Sequence, residues 1–325
     1  MSATAAAAKL QAAPTVAEVR AAARRIVDQV ATVLKGHRTV AELAVVALLA
    51  EGHLLLEDVP GVGKTTLAKA LAASIDASTG RIQFTPDLMP SDLIGSHVYR
   101  AHSGSFEFIP GPVFHHIVIG DEINRASPKT QSALLEAMQE GHVTVDGTTY
   151  DLPRPFTVVA TQNPIEMEGT YPLPEAQRDR FMARLAIGYP DLADEVAVLD
   201  AQEQADPLDG LQPVVTAGQV LTMIAAIRPL HTAPAVKRYI AELAHATRQA
   251  PELALGVSPR AAIQLLRAAK AAAVLAGRGH VLPDDVQRLA PAVWPHRLIV
   301  TRQARGAGHT AEAVLAGILA RTPVR

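Results

Sequence analysis

The chain is predicted to fold as an α/β domain, a parallel sheet wrapped by helices, followed by an all-helical region. Three observations predict this. Short apolar strands alternate with amphipathic helices between His53 and Thr161. A glycine-rich bend, Asp58-Val-Pro-Gly-Val-Gly-Lys-Thr65, joins one of those strands to a helix. Beyond Pro190 the strand-like runs give way to Ala-, Leu- and Arg-rich helical windows. With 325 residues there is room for two domains, and aromatics at only 4% leave the core to Leu, Val, Ile and Ala. A formal net charge of −2 gives no global pull on nucleic acid or an anionic membrane. The absence of cysteine excludes disulfides and thiolate metal sites and fits a reducing cytoplasm.

Each element follows from local pattern. The Ala-rich stretch from Met1 to Ala13 lacks a long apolar run and reads as a disordered arm, not a signal peptide. Residues 1–14 are assigned to that arm, 15–189 to the α/β domain and 190–325 to the helical domain. Val19, Ala23, Ile26, Val30 and Val33 recur at helical steps and predict a helix over 16–34. Thr39 is the expected N-cap of a second helix ending before Gly52. Its apolar run, Leu43 to Ala50, is far short of the roughly 20 residues that cross a membrane. Strands are predicted at His53–Glu57, Arg81–Phe84, Phe114–Ile119 and Pro155–Thr161, and helices at Lys64–Ile75 and Pro128–Gln139. Val143 to Tyr150 is a hairpin turning on Asp146-Gly147. Helices are then expected at 217–227, 234–249, 259–276, 283–293 and 310–320.

A strand, a glycine-rich bend and a helix N-terminus make an anion cradle, because free backbone N–H groups converge there and the helix dipole adds positive charge. Pro60, Gly61, Val62, Gly63, Lys64, Thr65 and Thr66 are the residues expected to hold ATP. Lys64 is placed to reach the β- and γ-phosphates, and the Thr65 hydroxyl to ligate Mg²⁺. The phosphate-loop pattern asks for Gly where this chain has Asp58. A second strand ends in Asp121-Glu122. Acids at the C-terminal end of a buried strand lie where open α/β sheets bind ligands. Asp121 would hold Mg²⁺ and Glu122 would polarise a water. Asn163, at the end of a third strand, either orients that water or simply starts an Asn163-Pro164 turn.

These residues belong to an ordered set. Leu56 to Thr65, Gln83 to Gly95, Gly120-Asp-Glu-Ile-Asn-Arg-Ala126, Ala160-Thr-Gln-Asn-Pro164, Leu173-Pro-Glu-Ala-Gln177 with Asp179-Arg-Phe181, and Val257-Ser-Pro-Arg260 together resemble AAA+ ATPases of the MoxR group. Asp58 agrees with that group's form of the loop. The resemblance implies an AAA+ core with a C-terminal all-α lid, and ATP hydrolysis with Mg²⁺. Lys64 and Thr65 would be Walker A, Asp121 and Glu122 Walker B, and Asn163 sensor 1. Arg260 would be sensor 2, reaching from the lid to the γ-phosphate. Arg180 would be the arginine finger acting on a neighbouring subunit, with Arg178 a substitute for it.

The resemblance also implies a hexameric ring, a protein client reached through a partner with a von Willebrand factor A domain, and chaperone-like remodelling or metal-cofactor insertion in the cytoplasm. An insertion between Gly95 and Gly111 is expected to form a small hairpin, whose Phe106 and Phe108 either touch the client or fill a local core. Neighbouring His115 and His116 point to opposite faces of a strand and read as structural, not as a metal pair. The basic segment from Pro295 to Arg325 reads as a solvated face or a subunit contact. Three rivals remain open: a magnesium-chelatase-like motor subunit, a nucleic-acid motor, and a scaffold that binds ATP without useful turnover.

Overall fold

The computed structural model describes residues 13–59, 61–163, 171–204 and 206–324. The expected N-terminal arm up to residue 12, Pro60 and Pro164 lie outside the described residues. Helix α1 (Val16–Val33) opens on a capping box: the Thr15 hydroxyl accepts from the Glu18 N–H, and the Glu18 carboxylate accepts from the Thr15 N–H at 2.7 Å. It buries Val19, Ala23, Ile26, Val27 and Val30. Helix α2 (Arg38–Leu49) has its N-cap position at His37 and not at Thr39, and no side chain caps it. Packing of its nearly continuous buried run, Ala44 to Leu49, holds it instead.

The sheet begins with β1 (Leu54–Glu57), which feeds the phosphate loop and α3 (Lys64–Ser74). Next come β2 (Thr79–Gln83), the short α4 (Pro90–Ile94) and a hairpin of β3 (Ser96–Arg100) and β4 (Ser105–Ile109). They are followed by β5 (Ile117–Asp121), α5 (Pro128–Glu140), a second hairpin of β6 (His142–Val145) and β7 (Thr148–Asp151), and β8 (Thr157–Gln162). The single helical turn α6 (Glu175–Arg178) leads to β9 (Ala183–Leu185).

The five sheet strands stand in the order β2-β5-β8-β1-β9, and every pairing is parallel. Alternation along β1 sends Leu54 and Leu56 to the side of α1–α3, and Leu55 to the side of α5 and Phe181. Because β8 lies between β5 and β1, the ends of all three strands meet at one edge. The predicted strands are therefore present, each shifted by one to three residues. The edge strand β9 was not predicted, since three residues carry too little periodicity.

The remaining chain is α7 (Leu192–Gln204), α8 (Ala217–Ile227), α9 (Pro234–Gln249), β10 (Leu253–Leu255), α10 (Pro259–Leu275), α11 (Pro283–Val293), β11 (Ile299–Val300), α12 (Arg302–Gly306) and α13 (Ala311–Arg321). The five expected helices match α8, α9, α10, α11 and α13 to within a residue. The β10–β11 ladder corrects the expectation that strands end near residue 190. Helix α7 leaves no clear helical period in the sequence because apolar residues lie on both of its faces: Leu192, Val196 and Leu199 are exposed on one, and Ala197 and Ala201 are half-buried on the other. Helices α8 and α10 pack on α1 and α2, so one apolar cluster runs from Val19 to Ile318, across the expected boundary at Tyr189-Pro190.

The two hairpins are clipped together. Asp146 (φ 49°) and Gly147 (φ 80°) make the left-handed pair that a tight hairpin turn requires. The Tyr150 ring stacks on Phe108 with centroids 4.0 Å apart, and His97 bonds both Asp146 at 2.8 Å and the Tyr150 hydroxyl at 3.2 Å. Phe106 and Phe108 thus part company: Phe108 packs on Tyr150 and Phe114, while Phe106 is 70% exposed beside Tyr99.

Candidate functional site

The phosphate loop leaves β1 at the sheet's C-terminal edge. Gly61 (φ 84°) and Gly63 (φ 92°) adopt the left-handed conformation that turns the loop into the first turn of α3, and a side chain there would be strained. Lys64 Nζ donates to the Asp58 carbonyl at 2.6 Å. Asp58, the departure from the phosphate-loop pattern, has a structural reason. Its Oδ2 accepts from the Ile187 and Gly188 N–H groups at 2.7 Å each, and its Oδ1 from Val59 at 2.8 Å. The loop is thereby tied to the chain leaving β9.

One pocket gathers most of the predicted residues. Gly61, Gly63, Lys64, Thr65, Thr66, Asp121, Glu122 and Asn163 line it together with Arg81, Gln83 and Thr161. The Thr65 hydroxyl lies 3.4 Å from Asp121 Oδ1, so two hard oxygen donors stand side by side, a set that suits Mg²⁺. Arg81, which the sequence did not mark, donates from Nε to Asp121 Oδ2 at 2.8 Å. Glu122 sits in the left-handed region (φ 59°), a conformation costing about 1–3 kcal/mol for a non-glycine residue. Its N–H donates to the Thr161 hydroxyl at 3.0 Å. Its carboxylate accepts from Arg125 at 2.8 Å and Gln83 at 3.2 Å. Asn163 is buried at the end of β8, between the ends of β5 and β1.

A second cleft adjoins the first through Gly61, Gly63 and Thr66. It has a volume of about 310 Å³, and its lining includes Val33 and Leu34 from the end of α1, Val62, Pro190, Val198 and Ala201 of α7, and Leu208. An apolar slot beside a phosphate cradle can take a flat heterocycle. No local motif marks it, because its walls come from four distant stretches.

Arg180 and Arg260 lie elsewhere. Among the described residues, neither lines the phosphate pocket. Arg180 stands with Glu136, Glu140, His142 and Gln177, and Arg260 donates to Gln139 on α5 at 3.3 Å. Partial burial and the nearby charge of Arg260 hold the Arg180 guanidinium below its ordinary pKa, while Glu136 and Glu140 push it up. Topology explains the separation. Arg180 precedes β9, whose neighbour β1 runs parallel to it, and Met182 N–H bonds the His53 carbonyl just before β1 starts. The arginines therefore sit toward the N-terminal edge and the phosphate loop at the C-terminal edge, with a four-residue strand of about 13 Å between. The expected reach of Arg260 to its own γ-phosphate is not what this arrangement provides. Arg178, the alternative finger, lines a different pocket with Arg184, Glu57 and His296.

The arginine edge is clamped by residues of the basic C-terminal segment, which the sequence predicts as a solvated face or a subunit contact. Arg297 is 3% exposed. It donates to the carbonyls of Val293, Asp179 and Phe181 and to Gln264, and lies 3.2 Å from the Asp179 carboxylate. Burial pushes its guanidinium down to about 10, against the pull of Asp179, so it stays charged at neutral pH. His296 Nε2 bonds the Phe181 carbonyl at 3.1 Å, and the Ser258 hydroxyl donates to Asp179 at 3.1 Å. The segment carrying Arg180 is thus held from both sides by the helical region. His115 and His116 bond the Pro112 carbonyl and Ser78, and among the described residues no three or more His, Cys, Asp or Glu side chains gather into a metal-holding group.

Comparison with known proteins agrees with this architecture. Residues 53–183 match the model of the ATPase family associated with various cellular activities (AAA), and residues 245–318 match the AAA lid domain. The chain is 50% identical to the uncharacterised protein YeaC of Bacillus subtilis (strain 168) over 92% of its own length and 94% of that protein. It is 40% identical to Chaperone MoxR1 of Mycobacterium tuberculosis, over 91% of this chain and 80% of that one. A crystal structure from Cytophaga hutchinsonii, provisionally assigned as an ATPase, superposes with a TM-score of 0.89 at 39% identity, covering 95% of this chain and 97% of that one.

Proposed function

The chain belongs to the MoxR family of AAA+ ATPases, and from that premise we propose that it hydrolyses ATP at the junction of two copies arranged head to tail. The observation that carries this reading is the split site. The phosphate cradle and the acids of β5 stand at one edge of the sheet, and Arg180 and Arg260 stand together at the other. An arginine pair that faces away from its own cradle is positioned to serve a neighbour's, and repetition of that contact closes a ring, here taken as a hexamer.

In this reading the base of ATP lies in the slot between α1 and α7. The phosphates lie on the N–H groups of the loop with Lys64 beside them. Thr65 and Asp121 would hold Mg²⁺, which supplies charge neutralisation on the phosphate oxygens. Glu122, released from Arg125 and Gln83, orients and polarises the attacking water, with Asn163 at its side. The neighbour's Arg180 and Arg260 stabilise the charge that develops on the transferring phosphoryl group. ADP and phosphate leave, and movement of the helical region is transmitted through the Arg297–Asp179 clamp.

We assign the work to remodelling of a protein client in the cytoplasm, in maturation or metal-cofactor insertion, with a von Willebrand factor A domain protein as intermediary. Phe106 and Tyr99, exposed at the tip of the β3–β4 hairpin, are the client-facing side chains. Arg100, the one cation of that hairpin's strands, is engaged by Glu107 at 2.7 Å, which leaves little for a nucleic-acid backbone. No helix among the described residues is long and apolar enough to cross a membrane. Phosphate release that rises more steeply than linearly with protein concentration tests the shared site. Turnover that stays proportional to chain concentration down to the monomer would count against it.

A further inference from the structure

Helix α7 has two unlike faces. Asp194, Ala197 and Ala201 turn inward and are half-buried, with Ala201 and the neighbouring Val198 on the slot beside the phosphate loop. Leu192, Val196 and Leu199, spaced four and three residues apart, share the opposite face. They are 79%, 49% and 63% exposed. Three aliphatics in one stripe form a contiguous apolar patch of the kind that marks an interaction site. The exposed charges flanking the stripe, Glu195, Asp200 and Glu203, are all negative, and the helix carries no cation.

A matching surface of opposite charge exists on the same molecule. On α10, Arg260, Ile263 and Arg267 follow one another at three- and four-residue steps and share an outward face. Ile263 is 54% exposed. Ile263 and Arg267 lie about 4.5 and 10.5 Å along the helix from Arg260. If Arg260 enters a neighbour's phosphate pocket, the next two turns of α10 pass the element bordering that pocket, and α7 borders the adjoining slot.

We propose that the outward stripe of α7 docks on α10 of the next copy of this chain, with Leu192, Val196 and Leu199 against Ile263 and the α7 acids against Arg267. The inference rests on the head-to-tail reading above and adds its contact surface. It makes α7 a two-sided element: one side meets the nucleotide's slot, the other meets the neighbour, so occupancy of the slot and assembly are coupled.

Sedimentation velocity on the Glu122→Gln chain with ATP, over a series of concentrations, tests this. Adding Leu192→Ser and Leu199→Ser should raise the half-assembly concentration at least tenfold. Measured below the half-assembly concentration, affinity for a fluorescent N-methylanthraniloyl-ATP should stay within twofold of the parent's, because neither leucine lines the slot. Asp200→Arg should weaken assembly as well, and Arg267→Asp in the same chain should restore it. A leucine variant that assembles at the parent's concentration overturns the docking role of α7, and a charge swap that does not restore assembly overturns its pairing with α10. A parent chain that stays monomeric with ATP refutes the head-to-tail reading itself.

Discussion

Chains carrying Glu122→Gln and chains carrying Arg180→Ala are each expected to be nearly inert, yet active when mixed. Glu122 and Arg180 sit toward opposite edges of the sheet, about 13 Å of strand apart, beyond what one arginine side chain bridges. Loss of a phosphoryl-stabilising arginine lowers turnover by about 10³–10⁵, so the Arg180→Ala preparation alone should fall near background. In an equal mixture that exchanges freely, a site works when an Arg180→Ala chain supplies Glu122 and the next copy, a Glu122→Gln chain, supplies Arg180. Random placement gives that pairing at about one site in four, so turnover should recover to about a quarter of wild type. Steady-state phosphate release across a titration of one variant into the other reads this directly, with the maximum at equal amounts. If both groups acted within one chain, every molecule in the mixture would carry a lesion and no ratio would recover. Such a flat titration, with exchange between the two preparations verified by fluorescence transfer, would refute the shared site.

Other expectations follow from particular contacts. Asp58→Ala removes two charge-assisted bonds to the chain leaving β9. It should lower stability by about 2–4 kcal/mol in urea unfolding and weaken ATP binding, and an unchanged midpoint would show that the tie is idle. Phe108→Ala should cost about 2 kcal/mol through the lost stack on Tyr150, whereas exposed Phe106→Ala should cost less than about 0.5 kcal/mol and leave unstimulated ATP turnover intact. Equal losses in thermal unfolding would erase the distinction. Burial lowers the pKa of His53 to about 4 and that of His296 well below its ordinary value, so both rings are neutral in the fold and take up protons on unfolding. The stability they contribute is present above about pH 6.5 and is lost as pH falls toward 4, by about 3 kcal/mol for His53 alone. A melting temperature that does not drop between pH 7 and 5 would contradict this.

The sequence alone determined what depends on near neighbours along the chain. The strand–loop–helix cradle at 58–65, the two acids ending β5, the Asp146-Gly147 turn and the helices with proline in their first turn all rest on spacings of a few residues, which local sterics and hydrogen bonding fix. Tertiary structure decided what depends on which distant segments meet. The parallel pairing of β9 with β1 places Arg180 at the far edge of the sheet from Lys64, and the packing of α10 on α1 and α2 brings Arg260 beside Arg180. Burial against Phe181 and Asp179 turns Arg297 from a surface cation into a clamp, and contact with Tyr150 separates Phe108 from Phe106. A side chain's partners across the fold are set by strand order and helix docking, and neither leaves a periodic trace in the residues that end up touching.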